Sequence, residues 1–358
     1  MDTESIEREV RRLAPWYYLL NLGGVRTDIT PPNDPSGHRV ISCPPILDGF
    51  WQGKSVLDVG CNEAAWSFGA LDRGAAHVDA FDCREINLEK ARFVAGVLGH
   101  ENVDFHLEDT DSWIEKYGDR AYDIVLMCGI ICHLPDPSRT IREICEVARD
   151  WVFVTCGVYG GEADGYTRYS ETDSIAASNQ GLDSLIPNTT NTLIQEYVQH
   201  GFRPIHIDET RAGTFNGGCC LVLKNAGRWS GCRQEAVDSA EPDSFDIHLV
   251  PDDVEQPHGR ANAFDLFVSA FNHSPQVREV DGRLRIQRAD GTVLQEQSQR
   301  ITLPACPRSP DDPPTASFHQ RAELDLDGTG PEATVTLELA DADGRVVGAS
   351  RLVISRDT

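Results

Sequence analysis

The sequence predicts a doubly wound, mostly parallel α/β domain of seven strands, followed by an all-β sandwich. Three observations predict it. Short apolar runs alternate with helical segments from Ser55 onward. Near residue 228 the texture changes, and no useful helical period follows. Two Asp-Gly turns, in RADGTV and DADGRV, then sit between strand-like runs, a strong local hairpin signal. The strands of the first part are SVLDV, HVDAFD, VDFHLED, YDIVLMCGI and WVFVTCG, with RPIHIDET and GGCCLVLKN as a closing pair. Between them EAAWSFGALDRG, NLEKARFVAGVLG and PSRTIREICEVARD read as helices, and so does NTLIQEYVQHGF ahead of the closing pair. Buried strands separated by helices argue for a parallel sheet. Upstream, IEREVRRL is helical in pattern, Pro15 ends it, and TPPNDPSGH is a loop. RWSGCRQEAVDSAEPDS reads as a polar linker. The remaining strand material is FDIHLV, AFDLFVSAFN, RLRIQRADGTVLQEQS and ATVTLELADADGRVVGASRLVIS. The expected divisions are an N-terminal segment at 1–50, the α/β domain at 51–228, a linker at 229–242 and the sandwich at 243–358.

Composition narrows the function. A 40% apolar and 25% charged chain is globular in character. No apolar run approaches the roughly 20 residues that cross a bilayer, and the charged N-terminus lacks the apolar core of a signal peptide. A soluble cytoplasmic protein with no membrane partner is the simplest reading. Cys43, Cys61, Cys83, Cys128, Cys132, Cys145, Cys156, Cys219, Cys220, Cys232 and Cys306 are scattered without a Cys-x-x-Cys pair, which favours reduced structural thiols over a metal site. The net charge of −25 repels phosphate backbones, and no lysine follows Lys224, so the composition argues against nucleic acid as a partner.

One loop carries the chemistry. After SVLDV comes Gly60-Cys61-Asn62-Glu63-Ala64-Ala65, with a single glycine where a dinucleotide site needs Gly-x-Gly-x-x-Gly. Glu63 places negative charge where a pyrophosphate would lie. The better match is a nucleoside loop without phosphate, Asp-x-Gly-x-x-x-Gly, read as Asp58, Gly60 and Ala64 in place of the last glycine.

Together VLDVGCNEAAW, AFDCREINLEKAR, FHLEDTDSW and YDIVLMCGIICHLPDP resemble the class I S-adenosylmethionine-dependent methyltransferases over about residues 50 to 225. WYYLLNLGGVRT, CGIICHLPDP and PNTTNTLIQEYVQHGF further resemble the subgroup that includes the tRNA wobble-uridine carboxymethyltransferases, here with a β-rich domain added at the C-terminal side. The resemblance implies a Rossmann-like sheet and S-adenosylmethionine as cofactor, released as S-adenosylhomocysteine. It places Asp58 and Gly60, with Cys61 and Asn62, at the amino and sulfonium end of the cofactor. It gives Asp82, beside Cys83, both ribose hydroxyls, the alternative for Asp82 being a helix N-cap. Asp109 and Thr110 fall where the family binds the adenine amino edge, with Glu108 or Asp111 able to substitute, and Cys128 and Gly129 border the methionine portion.

His133 is the candidate general base, against a packing or capping role. Trp16 and Tyr17 are either a lid over the sulfonium or core aromatics. Glu162, Asp164, Tyr166 and Asn188 are substrate candidates by location. No metal is expected, because Cys128-Gly129 stands where the magnesium-using type needs carboxylates. The expected reaction is methyl transfer to O, N or C of a small-molecule acceptor, in natural-product or sugar tailoring. The alternatives are tRNA modification, and a glycan- or partner-binding sandwich carrying a degenerate methyltransferase domain, which Ala64 would signal. The β-rich domain is a candidate homodimer surface.

Overall fold

The structure, a computed structural model, describes residues 1–32, 37–41, 43, 49–160, 163–169, 184–210, 217–225, 232–235, 237–241, 245–252, 263–272, 276–303, 315–316, 318–325 and 332–355. By internal contacts the chain forms two compact units, one of residues 1–156 and 166–186, the other of 157–165 and 187–358. The domain boundaries expected at 50, 228 and 242 remain a proposal about folding.

In the first unit Asp2 starts helix α1 (Thr3–Arg12) by accepting the Ser5 N–H at 2.8 Å. A two-residue Gly23-Gly24 turn joins β1 (Asn21–Leu22) to β2 (Val25–Arg26). The α/β pattern follows as β3 (Ser55–Val59), α2 (Ala65–Asp72), β4 (His77–Asp82), α3 (Glu85–Leu98), β5 (Val103–Leu107), α4 (Thr110–Tyr117), β6 (Tyr122–Cys128), α5 (Pro137–Val147) and β7 (Ala148–Val158). β8 (Tyr166–Tyr169) and β9 (Ser184–Pro187) form a separate pair. β3, β4, β6 and β7 are mostly buried because both faces are covered, whereas β5 at the edge is half exposed.

The parallel order is β5-β4-β3-β6-β7. From β3 the chain first winds one way, to β4 and β5, and then returns to β6 on the other side. The carboxyl ends of β3 and β6 are therefore the topological switch point, where open α/β sheets bind ligands.

The second unit contains α6 (Thr190–Gln199) and the antiparallel pair β10 (Phe202–Thr210) and β11 (Gly217–Asn225), the closing pair expected from the sequence. The sandwich strands are β12 (Cys232–Glu235), β13 (Phe245–Asp252), β14 (Ala263–Asn272), β15 (Arg278–Arg288), β16 (Val293–Leu303), β17 (Thr315–Ala316), β18 (Phe318–Asp325), β19 (Glu332–Ala340) and β20 (Val346–Ser355). They make a five-stranded sheet, β12-β20-β19-β15-β16, and a three-stranded one, β13-β14-β18, while β17 pairs with β10.

The inward residues of both sheets, among them Leu249, Leu266, Val268, Val280, Ile286, Val335, Leu339 and Ile354, share one apolar core. Every other residue of β15 is buried from Val280 to Ile286, the period a one-sided strand requires. One expectation is corrected: the linker at 229–242 is not all connection. Its Cys232–Glu235 stretch pairs antiparallel with β20 and is an edge strand of that sheet among the described residues.

Candidate active site

The loop after β3 is bound to the end of β4. Cys61 N–H donates to Phe81 O at 2.8 Å, Asn62 N–H to Asp82 Oδ2 at 2.9 Å, and Ala64 N–H to Cys61 O at 2.8 Å. Gly60 has φ +65°, and a Cβ there would lie 2.7 Å from Ile130 Cδ1, so the loops after β3 and β6 meet at a residue without a side chain. Asn62 (φ 52°) and Ala64 (φ 59°) are left-handed without being glycine. Each costs about 1–2 kcal/mol relative to a helical conformation, and such positions persist where the surroundings over-determine them. Ala64 thus keeps the glycine-like backbone. Gly60→Ala should lower stability by about 1–2 kcal/mol from its φ alone; an unchanged urea midpoint would show that the loop relaxes.

Asp82 is 5% exposed. Its Oδ1 accepts Arg84 N–H at 2.9 Å and Asn87 Nδ2 at 3.1 Å, and its Oδ2 accepts Asn62 N–H. A carboxylate offers about four lone-pair sites, so about one remains. That count leaves room for one ribose hydroxyl, and the expectation that Asp82 takes both is a proposal. A second would require the Asn87 amide to turn away.

Asp58, 1% exposed, accepts the Ser67 hydroxyl at 2.6 Å. Burial pushes its carboxyl up to about 7, the Ser67 donors working against this and the like charge of Asp82 adding to it. Folded Asp58 therefore keeps its proton to about 7, whereas the unfolded chain releases it near 4. Its contribution to stability is complete below about 4 and is lost as pH rises through about 7. Asp58→Asn should raise the melting temperature at pH 8 relative to the parent and leave it unchanged at pH 4. Equal shifts at both pH values in calorimetry would refute this.

Glu63 does not occupy a phosphate position, which removes the electrostatic reason given above for excluding one. It is fully buried and turned toward the N-terminal segment. Oε1 accepts Tyr17 N–H at 2.8 Å and Oε2 accepts Tyr18 N–H at 2.9 Å. Lys90 Nζ lies 3.0 Å from Oε1.

Trp16 is 0% exposed with its indole donating to Val10 O at 2.8 Å, so the substrate reading gives way to the core alternative. Tyr17 is half-buried, edge-on to Tyr18 at 4.9 Å. Tyr18 was not singled out from the sequence, yet it is the buried one of the two, and its phenol is raised by burial and by the neighbouring charges of Tyr17, Cys128, Asp58 and Glu63. Lys90 was also missed. The signal was a lysine among the buried Asn87, Leu88, Ala91 and Val94 of α3, a place a cation takes only with a partner.

The other candidates fall as follows. Asp109 caps α4 in a reciprocal capping box with Ser112, leaving Thr110 as the first residue of that helix, and the adenine role for the two is a proposal. Burial raises the Cys83 thiol, as does the charge of Asp82. Cys128 is buried at the end of β6, and Gly129 N–H donates to Thr155 O at 2.8 Å. His133 ends a 3₁₀ turn, Ile131–His133, and is half-buried. Tyr166 begins β8. Asn188 and Asp164 lie in the second unit, where Asn188 N–H donates to Gly165 O at 2.8 Å and Asp164 accepts Asn191 Nδ2 at 2.6 Å. Glu162 lies outside the described residues. Among the described residues, His77, Asp79 and Asp104 group their ligand atoms at the amino end of β4 and β5, away from the loop, with Asp79 held by His106, Tyr122 and Arg120.

Residues 51–179 match the family model of a methyltransferase domain. This region is a class I S-adenosylmethionine-dependent methyltransferase domain. The methyltransferase domain is 29% identical over 98 residues to a ubiquinone biosynthesis O-methyltransferase of Neisseria meningitidis serogroup C (strain 053442), covering 27% of this chain and 41% of that protein. It is 33% identical over 97 residues to the Hahella chejuensis (strain KCTC 2396) protein of the same name, covering 27% and 40%. The chain thus spans about two fifths of the curated relatives it matches. The N-terminal domain of EvdMO1 with SAH bound shares the fold, at 20% identity and a TM-score of 0.50 over 63% of this chain and 97% of that one. Among the described residues no helix is long and apolar enough to cross a membrane.

Proposed function

We propose that the chain transfers a methyl group from S-adenosylmethionine to an oxygen or nitrogen of a small-molecule acceptor. The observation that carries this is Asp58, a buried carboxyl raised to about 7 by burial and further by Asp82, beside a loop with a single glycine in place of the Gly-x-Gly-x-x-Gly of a dinucleotide site. A cationic nucleoside fits that donor set, because a positive charge beside Asp58 offsets what burial imposes on it. When bound, the cofactor supplies a methyl group on positively charged sulfur.

The chain's own residues bind, align and exclude water. Asp82 accepts one ribose hydroxyl, Asp58 faces the cationic end, Cys128 and Gly129 border the methionine portion, and buried Tyr18 keeps solvent away. Alignment of acceptor and methyl supplies much of the barrier reduction. An oxygen acceptor also needs a proton removed, and His133 is the residue placed by sequence to do so.

S-Adenosylmethionine should bind about tenfold more tightly at pH 8 than at pH 6, since Asp58 ionises across that window. Asp58→Asn should flatten the profile in titration calorimetry. A wild-type chain that ignores both S-adenosylmethionine and S-adenosylhomocysteine, yet responds to a nicotinamide dinucleotide, defeats the reading.

Likeness to the wobble-uridine subgroup points to tRNA as the acceptor instead, and retention of tRNA in a low-salt gel shift would favour it. A role for the β-rich domain in dimerisation is read by sedimentation.

A further inference from the structure

Glu63 sits in the cofactor loop between the two left-handed residues Asn62 and Ala64, but its carboxylate serves a segment 45 residues away in sequence. Both oxygens are used by the backbone of Tyr17 and Tyr18. Lys90, itself 5% exposed, closes the clasp: its Nζ donates to Glu63 Oε1 at 3.0 Å and to Pro15 O at 2.5 Å, and lies 5.4 Å from the Trp16 ring centre. Tyr18 is further held by its carbonyl, which accepts the Thr27 hydroxyl at 2.7 Å. A fully buried carboxylate is tolerable only with its partners present. The loop conformation that binds Asp82 through Asn62 and the docking of residues 15–18 therefore depend on one side chain.

We propose that Glu63 and Lys90 are positioning residues that couple docking of the N-terminal segment to the cofactor loop, and so set Tyr18 as a wall of the cofactor site beside Asp58 and Cys128. This rests on the S-adenosylmethionine reading above. Tyr18 is buried and hangs from the loop itself, its N–H on Glu63 Oε2 at 2.9 Å, as a wall of that site must. Docking and ligand binding then favour each other reciprocally.

The test uses the full chain and S-adenosylhomocysteine as probe, with hydrogen exchange and calorimetry run in parallel. In the wild type, ligand should slow exchange at the amides of Tyr17 and Tyr18. Glu63→Gln should speed exchange there and weaken ligand binding by about tenfold. Lys90→Met should do the same, and Lys90→Arg, which keeps the charge, should recover affinity to within about threefold. The Lys90 pair keeps the proposal testable should Glu63→Gln fail to fold. Tyr18→Phe should leave exchange at 17–18 unchanged while weakening binding.

Faster exchange with wild-type affinity would make the clasp purely structural and overturn the coupling, and wild-type affinity in Tyr18→Phe would remove the phenol from the site. A wild-type chain that binds no S-adenosylhomocysteine while Tyr17 and Tyr18 stay protected would instead overturn the cofactor reading, and this proposal with it.

Discussion

Asp82→Ala should abolish measurable binding of S-adenosylhomocysteine, a loss of at least about 100-fold, while the chain still folds. Two effects combine. Hydrogen bonds to a charged group contribute about 1.5–3 kcal/mol each, so the ribose contact alone accounts for most of that factor. The second effect is indirect. Asp82 Oδ2 anchors the Asn62 amide, and Asn62 holds a left-handed backbone that only its surroundings enforce. With the anchor removed, the loop can relax away from the ligand.

Asp82→Asn separates the two effects. It keeps the shape and one acceptor, but its amide faces backbone donors, so binding should fall between parent and alanine variant. Titration calorimetry on all three measures the series. Wild-type affinity in Asp82→Ala would take the residue out of the site.

Much of the fold was legible because its signals are local. Continuous apolar runs such as YDIVLMC could only be buried on both faces, and the Asp-Gly turns before Thr292 and Arg345 fixed two hairpins. The strand β12 was not legible, since a cysteine followed by three polar residues at a sheet edge carries no periodic signature. The corner where the loop after β3 meets the end of β4 was legible by order along the chain: an aspartate, a glycine, then an aspartate ending the next strand. What the sequence lacks is direction. Glu63 was placed correctly in the loop and misread, because spacing reports where a side chain starts and not where it points. Asp109 shows the same limit in milder form, its carboxylate committed to the Ser112 amide. Tyr17 was named and Tyr18 was not for a related reason, as one residue of offset along an extended segment reverses which ring faces inward.

Glu63→Ala should produce the largest loss of stability of any single change considered, about 3–5 kcal/mol, because it strands a buried cation. At about 2–4 °C per kcal/mol for a unit of this size, that is a fall of about 10 °C in the transition of the first unit. The exposed pair Arg12–Glu89 is the internal contrast: its 2.7 Å separation is shorter than the Glu63–Lys90 distance, yet its side chains are 52% and 46% exposed. Removing Arg12 should therefore leave the transition close to the parent's. Distance is not what separates the two pairs; solvent is.

The stranded charge can be tested directly by adding Lys90→Met to Glu63→Ala. If the uncompensated ammonium dominates, the double variant should be more stable than Glu63→Ala alone, a favourable coupling of more than about 1 kcal/mol. It should still fall short of the parent, since the Tyr17 and Tyr18 amides remain without their acceptor. Additive losses in the double variant would mean that water reaches Lys90 in solution, and the buried clasp would be lost with that result.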